Sequence, residues 1–200
     1  MELKIWSELP EAEQTAVLQR PAVSQSAEIR DGTAAIISDV RQRGDRALRD
    51  FSLTFDGADV TDLRVREEEI AAATQQLSQT QQDAIDLAIN NVRMFHEQQR
   101  PVDIVVETMQ GVVCERVSHA IDSVGLYVPA GTAPLPYAAI LLAVAATIAG
   151  CTTKILCTPP RRDGSADPAV LVAASRAGVT DIFKVGGAQA VAAMAYGTET

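Results

Sequence analysis

The sequence lacks a GxGxxG dinucleotide fingerprint, a GxxxxGK[ST] phosphate loop and a GxSxG nucleophile elbow, so three common routes to an activity have no support in it. Cysteine and histidine are scarce. Cys114, Cys151 and Cys157 contain no CxxC pair, and His96 and His119 are the only histidines. These residues offer no zinc-ligand spacing and no even disulfide framework, so they read as three thiols in a reducing compartment, with no metal site of their own. Basic residues are outnumbered. A net charge of −9 argues against nucleic acid, which needs clustered Lys and Arg, and against an anionic membrane surface. Long apolar runs are also missing. Tyr137 to Ala149, bounded by Pro136 and Gly150, falls short of the roughly 20 residues needed to span a bilayer, and it reads as a buried core helix. The N-terminal MELKIWSELPEAEQ has no apolar signal-peptide region, and a cytoplasmic location is expected.

The chain has 200 residues, 47% of them hydrophobic and 22% charged, enough for one domain or two small ones with a real core. Charge is unevenly placed. Ser123 to Pro160 holds a single charged side chain, Lys154, and is therefore expected in the interior.

Residues 1–24 read as an arm, with Trp6 and Leu9 as docking residues and Pro10 and Pro21 as punctuation. The spacing of Ile29, Ala34, Ile36, Ile37 and Val40 predicts a helix ending near Gly44, followed by a short helical segment, DRALRDFSLTFDG, that Gly57 stops. Glu67, Glu68 and Glu69 suit the positive end of a helix running to Leu77. A longer helix over Thr80–Gln99 places Ile85, Ala88, Ile89, Val92 and Phe95 on one face, and Pro101 ends it. DIVVETM and VVCERVSHAI flank Gln110-Gly111 as a hairpin. Beyond Ser123 the order becomes strand (124–128), helix (137–149), strand (154–157), loop, helix (168–177), strand (181–185) and helix (188–196). That alternation predicts a parallel sheet with helices on its faces.

Two strand-to-helix turns mark where such a sheet builds a ligand crevice. In GLYVPAGTAPLP, Gly125 and Gly131 permit close backbone approach, while Pro129, Pro134 and Pro136 stiffen the loop. Tyr127 ends the strand, where a phenol either meets a planar ligand or belongs to the core with its hydroxyl satisfied. In VGGAQ, Gly186 and Gly187 precede a helix whose free N–H groups favour an anion. Gln189 is either an amide contact for a cofactor or an exposed residue of a tight turn. His96, beside Phe95 near the apolar face, reads as structural. Arg161, Arg162, Asp163 and Asp167 read as a solvated connection. These residues describe a small-ligand α/β protein and leave its chemistry open.

The phrases GLYVPAGTAPLP, AGCTTKILCTPP and IFKVGGAQAVAAMAYGTET closely resemble the histidinol dehydrogenase family, and RGDRALRDFSLTFDG and NNVRMFHEQQRP are similar to that family's N-terminal half. The resemblance implies an NAD-dependent, zinc-containing homodimer that oxidises L-histidinol to L-histidine, the last step of histidine biosynthesis, through an aldehyde and two hydride transfers. It implies incomplete Rossmann-like α/β/α domains with parallel sheets, preceded by a mainly helical region with a β-hairpin. On that pattern the arm is 1–24, the helices and hairpin of a first domain are 25–122, and a second domain is 123–200. The family's NAD contacts fall on Tyr127 and Gln189. Its zinc ligands, its histidine and glutamate base and a GPGN asparagine are expected beyond Thr200, so no catalytic or metal residue maps here and the chain alone is expected to be inactive.

Two departures bear on substrate. Ala130 stands where the family has glycine, and Tyr137 stands where many members have a small hydroxyl residue. They keep open a paralogue acting on another amino alcohol or hydroxy compound. A non-catalytic nucleotide-binding or dimerising module is the alternative of a different class.

Overall fold

A computed structural model describes residues 4–18, 27–130 and 133–200. Pro21 of the arm and Gly131 of the first turn lie outside the described residues. The chain divides into two units, 1–35 and 36–200. In the first, a single 3-10 turn, Trp6–Glu8, precedes helix α1 (Glu11–Leu18). The Gln14 side-chain amide donates to the Trp6 and Leu9 carbonyls, each at 3.0 Å, and so fixes that short corner. Helix α2 (Ala27–Arg43) begins in the first unit and ends in the second.

The second unit continues with α3 (Asp45–Phe51), which runs into one wider π turn, Ser52–Asp56, stopped by Gly57 in the left-handed region (φ 65°). The sequence reads this stretch as ordinary helix. Helix α4 (Glu67–Gln76) starts with its three glutamates, and the Glu69 carboxylate accepts from the Arg66 N–H at 3.1 Å. Helix α5 (Gln79–Glu97) opens on a capping box between Ser78 and Gln81. Ile85 and Ile89 are buried as the helical period predicts, but Phe95 is 66% exposed. Its ring meets His96 edge-on, and His96 Nδ1 lies 2.8 Å from Gln99 Oε1.

Strands β1 (Ile104–Met109) and β2 (Val112–Arg116) form the expected antiparallel hairpin about Gln110-Gly111, exposed along its length. From there the alternation read in the sequence holds: β3 (Ser123–Tyr127), α6 (Pro136–Ala149), β4 (Thr153–Thr158), α7 (Pro168–Arg176), β5 (Asp181–Lys184) and α8 (Gly187–Tyr196). Pro136 starts α6 and left-handed Gly150 (φ 88°) ends it, the asymmetry that fixed φ at one end and a missing Cβ at the other produce. The Asp167 carboxylate caps α7 by accepting from Ala169 and Val170 N–H.

The three strands form a parallel sheet in the order β3-β4-β5. Alternate residues face opposite ways. Leu126, Val128, Leu156 and Ile182 pack with Ile140, Val144, Val170 and Ala173 of α6 and α7. Tyr127, Ile155, Cys157 and Phe183 pack on the other face with Leu48 of α3 and Ala190 and Met194 of α8. The result is an α/β/α arrangement behind a helical region and a hairpin. No described helix is long and apolar enough to cross a membrane.

Candidate cofactor site

Both marked turns lie at the carboxyl ends of the strands, where loops after parallel strands open a crevice. β3 ends on Tyr127, whose backbone registers with Cys157 of β4, and Val128 N–H donates to the Cys157 carbonyl at 2.9 Å. That pairing aims the half-buried phenol across the sheet at the start of α8. There the Tyr127 hydroxyl accepts a hydrogen bond from Gly187 N–H at 2.9 Å. The phenol thus takes up one of the free N–H groups that a helix start presents.

Gly187 is tightly constrained. Its φ is +62°, and a Cβ there would lie 2.5 Å from Gln189 Oε1. The Gln189 amide is therefore folded back over Gly187, with the residue only 1% exposed. The reading of Gln189 as an exposed turn residue is overturned: α8 packs down on the sheet and carries its first turn inside. Gly186 is tight for a different reason, since a Cβ on it would stand 2.6 Å from Cγ of Pro159. Tyr127 and Gln189, far apart in sequence, thus converge on one glycine.

Pro159 joins this turn to a cleft of about 320 Å³ lined by Ala130, Ala133 and Pro134 after β3, by Pro159 to Arg162 and Asp167 after β4, and by Asp56. Arg161 pairs with Asp167, so the loop read as a solvated connection is a wall of the cleft. Asp56 is the residue that sequence reasoning missed. It ends the π turn, a local widening that often marks functional positions, whereas the sequence shows only an Asp-Gly helix stop. One Asp56 carboxylate oxygen is buried without a partner among the described residues. Burial pushes this carboxyl above the usual aspartate range and favours its protonated form.

The two departures in sequence have different standing in three dimensions. No described residue other than glycine has positive φ, so Ala130 fits its turn without strain. Tyr137 is 60% exposed and is not among the residues lining the cleft. Metal ligation finds no support: among the described residues no three His, Cys, Asp or Glu side chains are placed to share an ion. Cys157 is buried, and burial pushes its thiol up to about 12, far from the thiolate that ligation requires. The described residues do not fit zinc.

The histidinol dehydrogenase family profile matches residues 18–200. The chain belongs to that family. Histidinol dehydrogenase of Xanthomonas axonopodis pv. citri is 50% identical over the whole chain, which covers 46% of that protein. The enzyme of Photobacterium profundum is 44% identical, again over the whole chain and 44% of its own length. A crystal structure of histidinol dehydrogenase from Elizabethkingia anophelis superimposes with a TM-score of 0.88 at 37% identity, covering 96% of this chain and 44% of that one. The chain spans about half the length of the curated relatives it matches.

Proposed function

We propose that this chain carries the NAD seat of a histidinol dehydrogenase, with Tyr127 and Gln189 as cofactor contacts. The observation that carries this reading is the meeting of the Tyr127 hydroxyl and the Gln189 amide at Gly187, where α8 presents its positive end. A pyrophosphate approaching that helix start meets backbone N–H groups, and the phenol exchanges its Gly187 donor for the ligand. The adjoining cleft, with Arg161, Arg162 and Asp56 among its lining residues, gives the rest of a dinucleotide polar walls.

In the whole enzyme, on this reading, L-histidinol passes through the aldehyde to L-histidine. The two oxidations would consume two NAD, with water supplying the second carboxylate oxygen. Bound NAD supplies the hydride acceptor. This chain's residues bind and orient it, and turnover requires base and zinc-holding groups that they do not bring together.

The test is a calorimetric titration of the purified chain with NAD beside an assay for NADH formation from histidinol. Saturable binding without turnover is the expected pair of results. No detectable binding at millimolar NAD would sink the cofactor reading, and NADH formation by the chain alone would sink the division of labour.

A further inference from the structure

Asp56 lines the cleft with one carboxylate oxygen that is buried and meets no partner among the described residues. A buried acceptor without a donor is costly, and such groups are rare enough to call for a reason. The turn that carries it is firmly held. Ala58 N–H donates to the Ser52 carbonyl at 3.2 Å, and Ser52, Ala58 and Val60 are buried on either side of Asp56. The Phe51 and Phe55 rings stack with centroids 5.5 Å apart. The fold thus keeps a bare carboxylate in place at the wall of a cleft.

The other charged groups of the cleft are differently placed. Arg161 pairs with Asp167, and the Asp167 carboxylate also accepts from Ala169 and Val170 N–H at 2.9 and 3.3 Å. Arg162 is exposed. Neither arginine offsets the charge of Asp56: burial alone accounts for the rise in its pKa. What Asp56 can gain from a ligand is therefore a hydrogen-bond donor. A neutral hydroxyl supplies one, whereas an anion sets like charge against a half-buried carboxylate.

The lining also bears on which end of a dinucleotide lies here. Ala130, Ala133, Pro134, Pro159 and Pro160 offer apolar contact to a flat base, and among the described residues no thiol, imidazole or amine that could assist a reaction lines the cleft. That lining suits the adenosine half. We infer that Asp56 is a specificity-determining residue, accepting the 2′-hydroxyl of the adenosine ribose and so admitting NAD while rejecting NADP, which carries a phosphate at that position. A carboxylate on the ribose hydroxyl and an arginine on the 2′-phosphate are the two alternatives that dinucleotide sites use, and the uncompensated carboxylate decides between them. The inference rests on the reading of this chain as an NAD seat.

Calorimetric titrations of the chain and of Asp56→Asn with NAD, NADP and an NAD analogue lacking the adenosine 2′-hydroxyl test it. The unaltered chain is expected to bind NAD about tenfold more tightly than either of the other two, the discrimination that one charge-assisted hydrogen bond gives. Asp56→Asn keeps the shape of the side chain and narrows both ratios to about threefold or less, because the charge that repels the phosphate and strengthens the hydroxyl contact is gone. Urea midpoints confirm that the variant is folded, and Asp56→Ser gives the same readings should asparagine not be tolerated. Tyr127→Phe, at the Gly187 turn, weakens NAD and NADP alike and leaves their ratio unchanged. Ratios that Asp56→Asn does not alter, with NAD still bound, overturn the assignment and leave the cofactor reading standing. NADP bound by the unaltered chain as tightly as NAD overturns it too. Absence of NAD binding by the unaltered chain overturns both readings together.

Discussion

The Tyr127 hydroxyl and the Gly187 N–H are hydrogen-bonded at 2.9 Å across sixty residues of sequence. This bond ties the end of the first parallel strand to the start of the last helix and puts a polar contact at the mouth of the crevice. Tyr127→Phe deletes the hydroxyl and keeps the ring, whose packing among Cys157, Val185 and Ala190 is untouched. The Gly187 N–H returns to solvent. NAD affinity is expected to fall about fivefold, the loss of one hydrogen bond of about 1 kcal/mol, with little change in urea midpoint. Isothermal titration of both proteins checks this, and equal affinities would remove Tyr127 from the cofactor site.

Gly187→Ala is a harsher change at the same point. With φ at +62° and Gln189 Oε1 2.5 Å from the new Cβ, the substitution costs about 1–2 kcal/mol for the left-handed backbone alone. The Gln189 amide must also swing away. Urea unfolding should show that loss, and NAD binding should fall by more than the stability change explains. An alanine variant with wild-type stability would mean that the turn does not need its glycine.

Much of this was legible in the sequence because local chemistry sets it. Pro136 and Gly150 bracket α6, Asp167-Pro168 opens α7, and Gly57 stops the helix before it. The alternation after Ser123 implies the parallel sheet. What stayed hidden depends on contacts between distant segments. The period of α5 puts Phe95 on the apolar side, yet no described residue covers that last turn and the ring is exposed. Gln189 looks like a surface residue until α8 is laid on the sheet. The π turn that delivers Asp56 to the cleft differs from an α turn by one register of hydrogen bonding, and no residue type announces it.

Asp56 carries a pH signature. Burial raises its folded pKa above the ordinary value of 3.8, so between those two values the native chain holds a proton that the unfolded chain has released. Raising pH through that window strips the proton from a buried oxygen without a partner, and stability falls. Asp56→Asn keeps the shape and removes the charge. Relative to wild type it should be stabilising at pH 7, with the gain shrinking toward zero as pH drops below about 4. Urea midpoints of both proteins across that range decide it; a difference independent of pH would exclude titration of Asp56 as the cause.

The hairpin is expected to drive self-association. A lone two-stranded hairpin is marginal in water, and every residue of β1 and β2 is exposed. Its faces are unequal. The register pairs Ile104 with Arg116 and Val106 with Cys114 on the face that also holds Val112, whereas Val105, Glu107, Val113 and Glu115 share the other. Two carboxylates keep the second face wet, so the first is the one to be covered. Light scattering should show mass rising with concentration. Val106→Lys should suppress that rise more than Val113→Lys, since both positions are exposed and neither change empties the core. A constant monomer mass, or equal effects of the two lysines, would rule out the Ile104–Val106 face as the contact.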